Sequence, residues 1–209
     1  MTNELEPQRT SLDPVTIHAD LSEWIIKVTG ESNAIISEFD RPSGSGMSSE
    51  TLLFDSTWGE AENEVHKKLV ARLAPTDQDR PVFPNYNLSS QVKVMKLVEQ
   101  LTDIKVPKVL WEEASIDVLG VPFFVMEQVQ GRVPPDIPPY VFGGWLFDAT
   151  PESQLQLQEL CVGILAQLHQ IKQKSPDTDF LEFRTQGETA LKRHFTNQKE
   201  YYRWVTQDN

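Results

Sequence analysis

The most apolar stretch of the chain runs from Val118 to Gly131, and its pattern predicts a buried strand. Within it, Phe123 to Met126 combines aromatic and β-branched side chains, which favour a packed, pleated surface. Pro122 stands at the entrance of this run, where a missing backbone N–H costs a strand little. After Gly131 the chain becomes polar and rich in proline. The stretch predicts either a strand that passes directly into an exposed linker or one more core strand of an α+β domain.

Apolar residues at helical spacing predict four helices. They cover residues 20–30, 89–101, 151 to about 172–174, and about 188–204. Asp20 and Glu23 have the spacing of a capping box at the start of the first helix. Thr150 and Pro151 are a typical start for the third, because a Thr N-cap precedes a Pro at the first helical position. An apolar stripe from Leu157 to Ile171 follows on that helix.

Short apolar runs between turn residues predict strands over residues 35–39, 51–55 and 106–111. The stretch from Thr57 to Leu73 is ambiguous. Its residues Val65, Leu69 and Leu73 recur every four positions, which suits a helix. The same positions together with Ala71 also alternate every two, which suits a half-buried strand. Periodicity alone leaves both interpretations open.

The chain has 209 residues and a formal net charge of −12, from 31 acidic and 19 basic side chains. This charge argues against nucleic acid and anionic membranes as partners, because phosphate groups are bound by Lys and Arg. Cys161 is the single cysteine, so no disulfide can form within the chain. Neither a signal peptide nor a spanning helix is recognisable in the sequence. We therefore expect a soluble, cytoplasmic protein with one large domain or two small ones.

A glycine- and serine-rich segment from Arg41 to Glu50 separates two of the predicted strands. Gly44 and Gly46 would let backbone N–H groups approach a phosphate, and Ser48 and Ser49 would add hydroxyl donors. The alternative is an ordinary hairpin turn. The segment is not a Walker A loop, because no Gly-Lys-Ser/Thr follows it.

Five short motifs complete the pattern: Gly46–Phe54, Leu69–Pro75, Val106–Val109, Leu119–Gly131 and Leu165–His169. Together with the order of the predicted elements, they resemble the front part of the aminoglycoside phosphotransferase and choline kinase-like family, within the protein-kinase fold. The resemblance implies an α+β fold. A small lobe with an antiparallel sheet and a helix would be followed by a hinge and the first helices of an incomplete α-helical large lobe. The ambiguous stretch would then be a strand over about residues 67–73.

The resemblance also sets boundaries. It implies a flexible arm at residues 1–19, a small nucleotide-binding lobe at 20–128, a hinge and linker at 129–150, and the start of the large lobe at 151–209.

In this family a nucleotide binds beside the hinge, so the resemblance implies a set of nucleotide-binding residues. They are Gly44, Gly46, Ser48, Ser49, Arg72, Gln91, Met126, Glu127 and Val129. Arg72 lies at the position of the family's cation that faces the α- and β-phosphates. Gln91 lies at the position of the helix residue that pairs with this cation and is usually acidic. Met126 would line the adenine pocket, and the backbone of Glu127 to Val129 would bind the adenine edge. The implied cofactors are ATP and Mg²⁺.

The family's catalytic loop, H-G-D-x-x-x-x-N, is not found in the sequence, and we identify no catalytic or metal-binding residue. We therefore expect the N-terminal part of an ATP-dependent phosphotransferase, cut before that loop and inactive alone. The complete enzyme would transfer the γ-phosphoryl group of Mg-ATP to the hydroxyl of a small acceptor. An exposed stripe on the large-lobe helix would favour self-association.

One alternative is an α+β domain with no nucleotide site, and the other is a catalytically inactive, kinase-like module that binds a nucleotide or a partner. In that case the aromatic segment from Phe195 to Trp204 would cover the apolar stripe.

Overall fold

The computed structural model describes residues 12–41, 49–76, 79, 83–134, 139–171, 176–181 and 185–207. In chain order its elements are α1 (Pro14–Thr29), β1 (Ile35–Ile36), β2 (Glu50–Trp58), β3 (Val65–Leu73), α2 (Leu88–Leu101), β4 (Val109–Glu113), β5 (Phe123–Glu127), α3 (Pro151–His169) and α4 (Ala190–Val205). Short 3₁₀ helices cover Ala61–Asn63 and Pro176–Leu181. Within these ranges, no helix has the length and apolar character needed to cross a membrane.

The five strands form one antiparallel sheet in the order β1-β2-β3-β5-β4. This sheet and its helices confirm the predicted α+β class and are consistent with a kinase-like small lobe. The ambiguous stretch is a strand from Val65 to Leu73, because β3 pairs with β2 along its whole length and with β5 from Leu69 to Leu73. A register shift between Val109 and Trp111 interrupts the pairing of β4 with β5.

Helix α1 covers one face of the sheet. Its residues Leu21 and Ile25 are fully buried, and Trp24 is nearly so. The Trp24 ring meets Phe123 edge-on with centroids 4.7 Å apart and Trp111 at 6.2 Å. The strand register places the following buried residues on the same face as Phe123: Leu52, Phe54, Leu69, Ala71, Leu73 and Val125. Burial of this apolar set is the main stabilising term of the domain.

The first helix begins earlier than the sequence predicted. Asp13 is its N-cap and accepts a hydrogen bond from the Thr16 N–H at 2.9 Å, with Pro14 as the first helical residue. The predicted start at Asp20 is therefore wrong, and residues 14–19 belong to α1 instead of the arm. Residues 1–11 lie outside the described ranges. The predicted end is confirmed, because Gly30 adopts the left-handed conformation with φ 75° that closes many helices.

Helices α3 and α4 bury none of the residues that the structure describes on them. The third helix begins at the predicted cap, where Thr150 Oγ1 accepts from the Ser153 N–H at 3.3 Å. Leu160 on α3 is 58% exposed, and Phe195 on α4 is also 58% exposed. The interpretation of the chain as an inactive binding module required the aromatic segment of α4 to cover the apolar stripe of α3. The exposure of Leu160 and Phe195 shows that it does not.

Candidate functional site

The face of the sheet opposite α1 carries apolar side chains and a half-buried cation, Arg72. Residues paired directly across antiparallel strands project to the same face. Val70 of β3 therefore lies beside Met126 of β5, and Arg72 lies beside Phe124. On the other side of β3, Thr51 pairs with Arg72. Val70 and Phe124 are buried, whereas Met126 and Arg72 are half-buried and partly accessible.

The guanidinium of Arg72 has a spare hydrogen-bond donor inside the protein. Its Nη2 donates to the Ser49 hydroxyl at 2.5 Å. Its Nε is shielded from solvent and has no hydrogen-bond partner among the described residues, and no described carboxylate pairs with the group. Burial lowers the pKa of Arg72 from its ordinary value. The side chain nevertheless stays charged, because arginine is not deprotonated in proteins.

Gln91 lies in the first turn of α2, where the family's acidic partner was expected. Its side chain is half-buried and makes no hydrogen bond to Arg72 in the part of the chain that the structure describes. Asn87 caps this helix by accepting from the Ser90 N–H at 2.9 Å. Arg72 therefore hydrogen-bonds Ser49, and among the described contacts it has no hydrogen bond with Gln91.

The hinge follows directly on β5. The Glu127 side chain pairs with Lys67, and its N–H donates to the Lys108 carbonyl at 2.9 Å. The Gln128 N–H donates to the Lys68 carbonyl at 2.8 Å. The N–H of Val129, whose residue is 66% exposed, makes no hydrogen bond to any described residue. Val129 therefore offers the first open backbone donor after the strand.

Three of the predicted phosphate-loop residues, Gly44, Gly46 and Ser48, lie outside the described residues, and only Ser49 of that group can be placed. The sequence reasoning missed Glu50, the next residue. Its side chain is 5% exposed, and its Oε1 lies 2.8 Å from the Nε of Arg41. A signal was present in the sequence, because Glu50 occupies an inward position in alternation with apolar residues of β2.

Within the described ranges, no three His, Cys, Asp or Glu side chains are close enough together to hold a metal ion. One His in the sequence is followed two positions later by Asp, namely His18 before Asp20, as in the first part of the family's catalytic motif. Both residues lie on α1, and neither the glycine nor the later asparagine of that motif is present.

The comparison with known families fits this architecture. The phosphotransferase enzyme family matches residues 52–206, which is more than half of the chain. The chain belongs to this family. Membership of the phosphotransferase family confirms the resemblance that the sequence motifs predicted. The matched region starts within β2 and includes the sheet face of Val70 and Arg72, the hinge, and helices α3 and α4.

Proposed function

We propose that the sheet face of Val70, Arg72 and Met126, together with the hinge at Val129, binds ATP. In a chain that also has a catalytic loop, this site would supply the γ-phosphoryl group of Mg-ATP for transfer to the hydroxyl of a small acceptor. Membership of the phosphotransferase family supports this class of reaction.

One observation carries the proposal. Arg72, a half-buried arginine, has a shielded donor that no described residue uses, and it lies on the same sheet face as the apolar pair Val70 and Met126. The strand of Met126 continues into the hinge, where no described residue accepts from the Val129 N–H. An isolated buried cation is costly, and proteins keep such groups where a partner satisfies them. A nucleotide supplies what this face lacks, because it joins a polyanion to a flat, hydrogen-bonding base.

The chemistry of each group fits one part of the nucleotide. Val70 and Met126 would pack against the adenine ring, and the Val129 N–H would donate to its edge. Arg72 would neutralise and orient phosphate charge, which is the main task of a protein in phosphoryl transfer. Mg²⁺, when bound, would neutralise further charge on the phosphates. The described residues hold no ligand set for the metal, so we assign none of them to it.

Calorimetric titration with ATP tests the proposal. The wild-type chain should bind ATP, and Arg72→Met should bind it at least about tenfold more weakly, because a charged hydrogen bond contributes about 1.5–3 kcal/mol. Lys192→Met is the matched control, since it removes one positive charge from an exposed position on α4. Equal losses in both variants, or no binding by the wild type, would contradict the proposal.

A second candidate function is nucleotide or partner binding without turnover. The observation that favours it is the missing H-G-D-x-x-x-x-N motif in the sequence. The two candidates differ in one measurement, the release of ADP by the complete natural protein when ATP and a panel of hydroxyl compounds are supplied. Binding without ADP release supports the second function, and acceptor-dependent ADP release supports the first.

A further inference from the structure

Arg41 forms an ion pair with Glu50, the residue that follows Ser49 at the start of β2. The Nε of Arg41 and the Oε1 of Glu50 are 2.8 Å apart, with side-chain exposures of 48% and 5%. The two atoms are close enough for an ion pair, although their relative direction is not that of a hydrogen bond. No other described residue pairs with the Glu50 carboxylate.

The buried position of the Glu50 carboxylate in the sheet is energetically costly and therefore calls for an explanation. Glu50 lies on the core face of β2, opposite Leu73 of β3 and two positions before buried Leu52. An apolar side chain there would avoid the cost of removing a charge from water, and buried ion pairs often stabilise no more than apolar replacements. The best-attested use of such pairs is to specify one arrangement of the chain.

The Arg41–Glu50 pair is connected through Ser49 to Arg72, the group that would face the phosphates in the proposed site. Ser49 and Glu50 are adjacent, and the Ser49 hydroxyl accepts a hydrogen bond from Arg72. Arg41 contacts Glu50, so two arginines bind the two successive residues at which the chain enters β2. Arg41, Ser49 and Glu50 all precede the residues matched by the family, which begin at position 52.

We infer that Arg41 and Glu50 are positioning residues for nucleotide phosphates. Their ion pair fixes the position of Glu50 at the start of β2 and thereby holds the adjacent Ser49 against Arg72, the group that would meet the phosphates. This inference rests on the proposed function, because it names the device that orients the phosphate end of that site.

The test compares two ligands in one variant. Glu50→Gln keeps the shape of the side chain and removes the charge. We expect it to weaken ATP binding on the order of tenfold, the loss typical of one charged contact. Adenosine, which lacks phosphates and would bind through the hinge and the apolar pair, should bind Glu50→Gln as it binds the wild type. Glu188→Gln is the matched control, since it removes an exposed ion pair with Lys192.

A second variant keeps the inference testable if Glu50→Gln does not fold. Arg41→Met changes a half-exposed side chain and should show the same selective loss for ATP, while Arg41→Lys should restore part of it. The double variant Arg41→Met/Glu50→Gln should be no worse than either single variant, because residues that act as one pair are not additive.

Each contrary result shows whether the inference alone fails or the proposed function fails with it. If Glu50→Gln weakens ATP and adenosine equally, the pair is merely structural and the inference is wrong. If Glu50→Gln binds ATP as tightly as the wild type, or more tightly, the pair does not position the site, and a freed Arg41 that bound phosphate directly would give this result. If Arg72→Met weakens ATP binding while Glu50→Gln does not, the proposed function stands without the inference. If the wild type binds no ATP, both are overturned.

Discussion

Val70 and Met126 lie directly opposite each other in the pairing of β3 with β5, on the sheet face that α1 leaves uncovered. Two positions along β3, Arg72 projects to the same face with a solvent-shielded Nε that has no hydrogen-bond partner among the described residues. Three residues beyond Met126, Val129 presents an open backbone N–H. One strand register therefore sets an apolar surface, a cation and a hydrogen-bond donor side by side. This arrangement is the physical basis of the ATP site that we propose.

The hinge donor can be removed without a change of charge. We expect Val129→Pro to weaken binding of both ATP and adenosine by about fivefold, since proline has no N–H and one hydrogen bond contributes about 1 kcal/mol. Val133→Pro is the control, because Val133 is an 86% exposed valine in the same linker. Calorimetry with both ligands measures the effect. Similar affinities for the two proline variants would show that Val129 donates nothing to the base.

We expect Arg72 to lower the free energy of unfolding when no ligand is bound. Its guanidinium is partly desolvated, which also lowers its pKa, and its Nε has no described partner. We expect Arg72→Met to leave the free energy of unfolding unchanged or to raise it by about 1 kcal/mol, although the Ser49 hydrogen bond is lost. Urea denaturation without nucleotide measures this change. A fall of about 2 kcal/mol or more would indicate a structural role for Arg72 instead.

The core beneath α1 should carry much of the stability of the sheet. Leu21 is fully buried, so Leu21→Ala should lower the free energy of unfolding by about 2–5 kcal/mol. Leu155→Ala, at a position that is 54% exposed on α3, should change it by less than about 0.5 kcal/mol. Chemical denaturation of both variants decides the matter. Equal effects would mean that α1 is not packed on the sheet as described.

Several elements could be predicted from local signals, and others could not. The apolar run of β5 and the Thr150 cap of α3 are local, and both were predicted correctly. The periodicity of β3 fits two structures, and only pairing with β2 and β5 decides between them. The start of α1 was missed because Asp20 and Glu23 imitate a capping box inside a helix that Asp13 caps.

The candidate site likewise combines features that local sequence signals predict with contacts that they do not. The position of Arg72 followed from a motif, yet its contact with Ser49 joins residues 23 positions apart and depends on the pairing of β2 with β3. The ion pair of Arg41 with Glu50 joins residues nine positions apart, and no local pattern in the sequence indicates it. Sequence patterns identify the residue types, whereas the sheet register determines which of them meet.

Self-association through α3 stays a prediction. Leu160 and Leu165 are 58% and 54% exposed, and large exposed apolar surfaces commonly mark contact sites. We expect the wild-type chain to sediment as species larger than a monomer at high concentration. Replacement of both leucines by glutamine should shift it toward monomer, whereas Leu191→Gln, at a 77% exposed position on α4, should not. A concentration-independent monomer in the wild type would contradict the prediction.

The central claim is that ATP binds between the Val70–Met126 pair and the hinge. The most direct measurement is a titration of the ¹⁵N-labelled chain with ATP, followed through the backbone amide resonances. The account predicts saturable shifts of the Val129 amide and of its neighbours in β5, with the Arg72 side-chain resonance moving over the same range of ATP concentration. Saturable shifts confined to residues elsewhere, or spectra that ATP leaves unchanged, would contradict it.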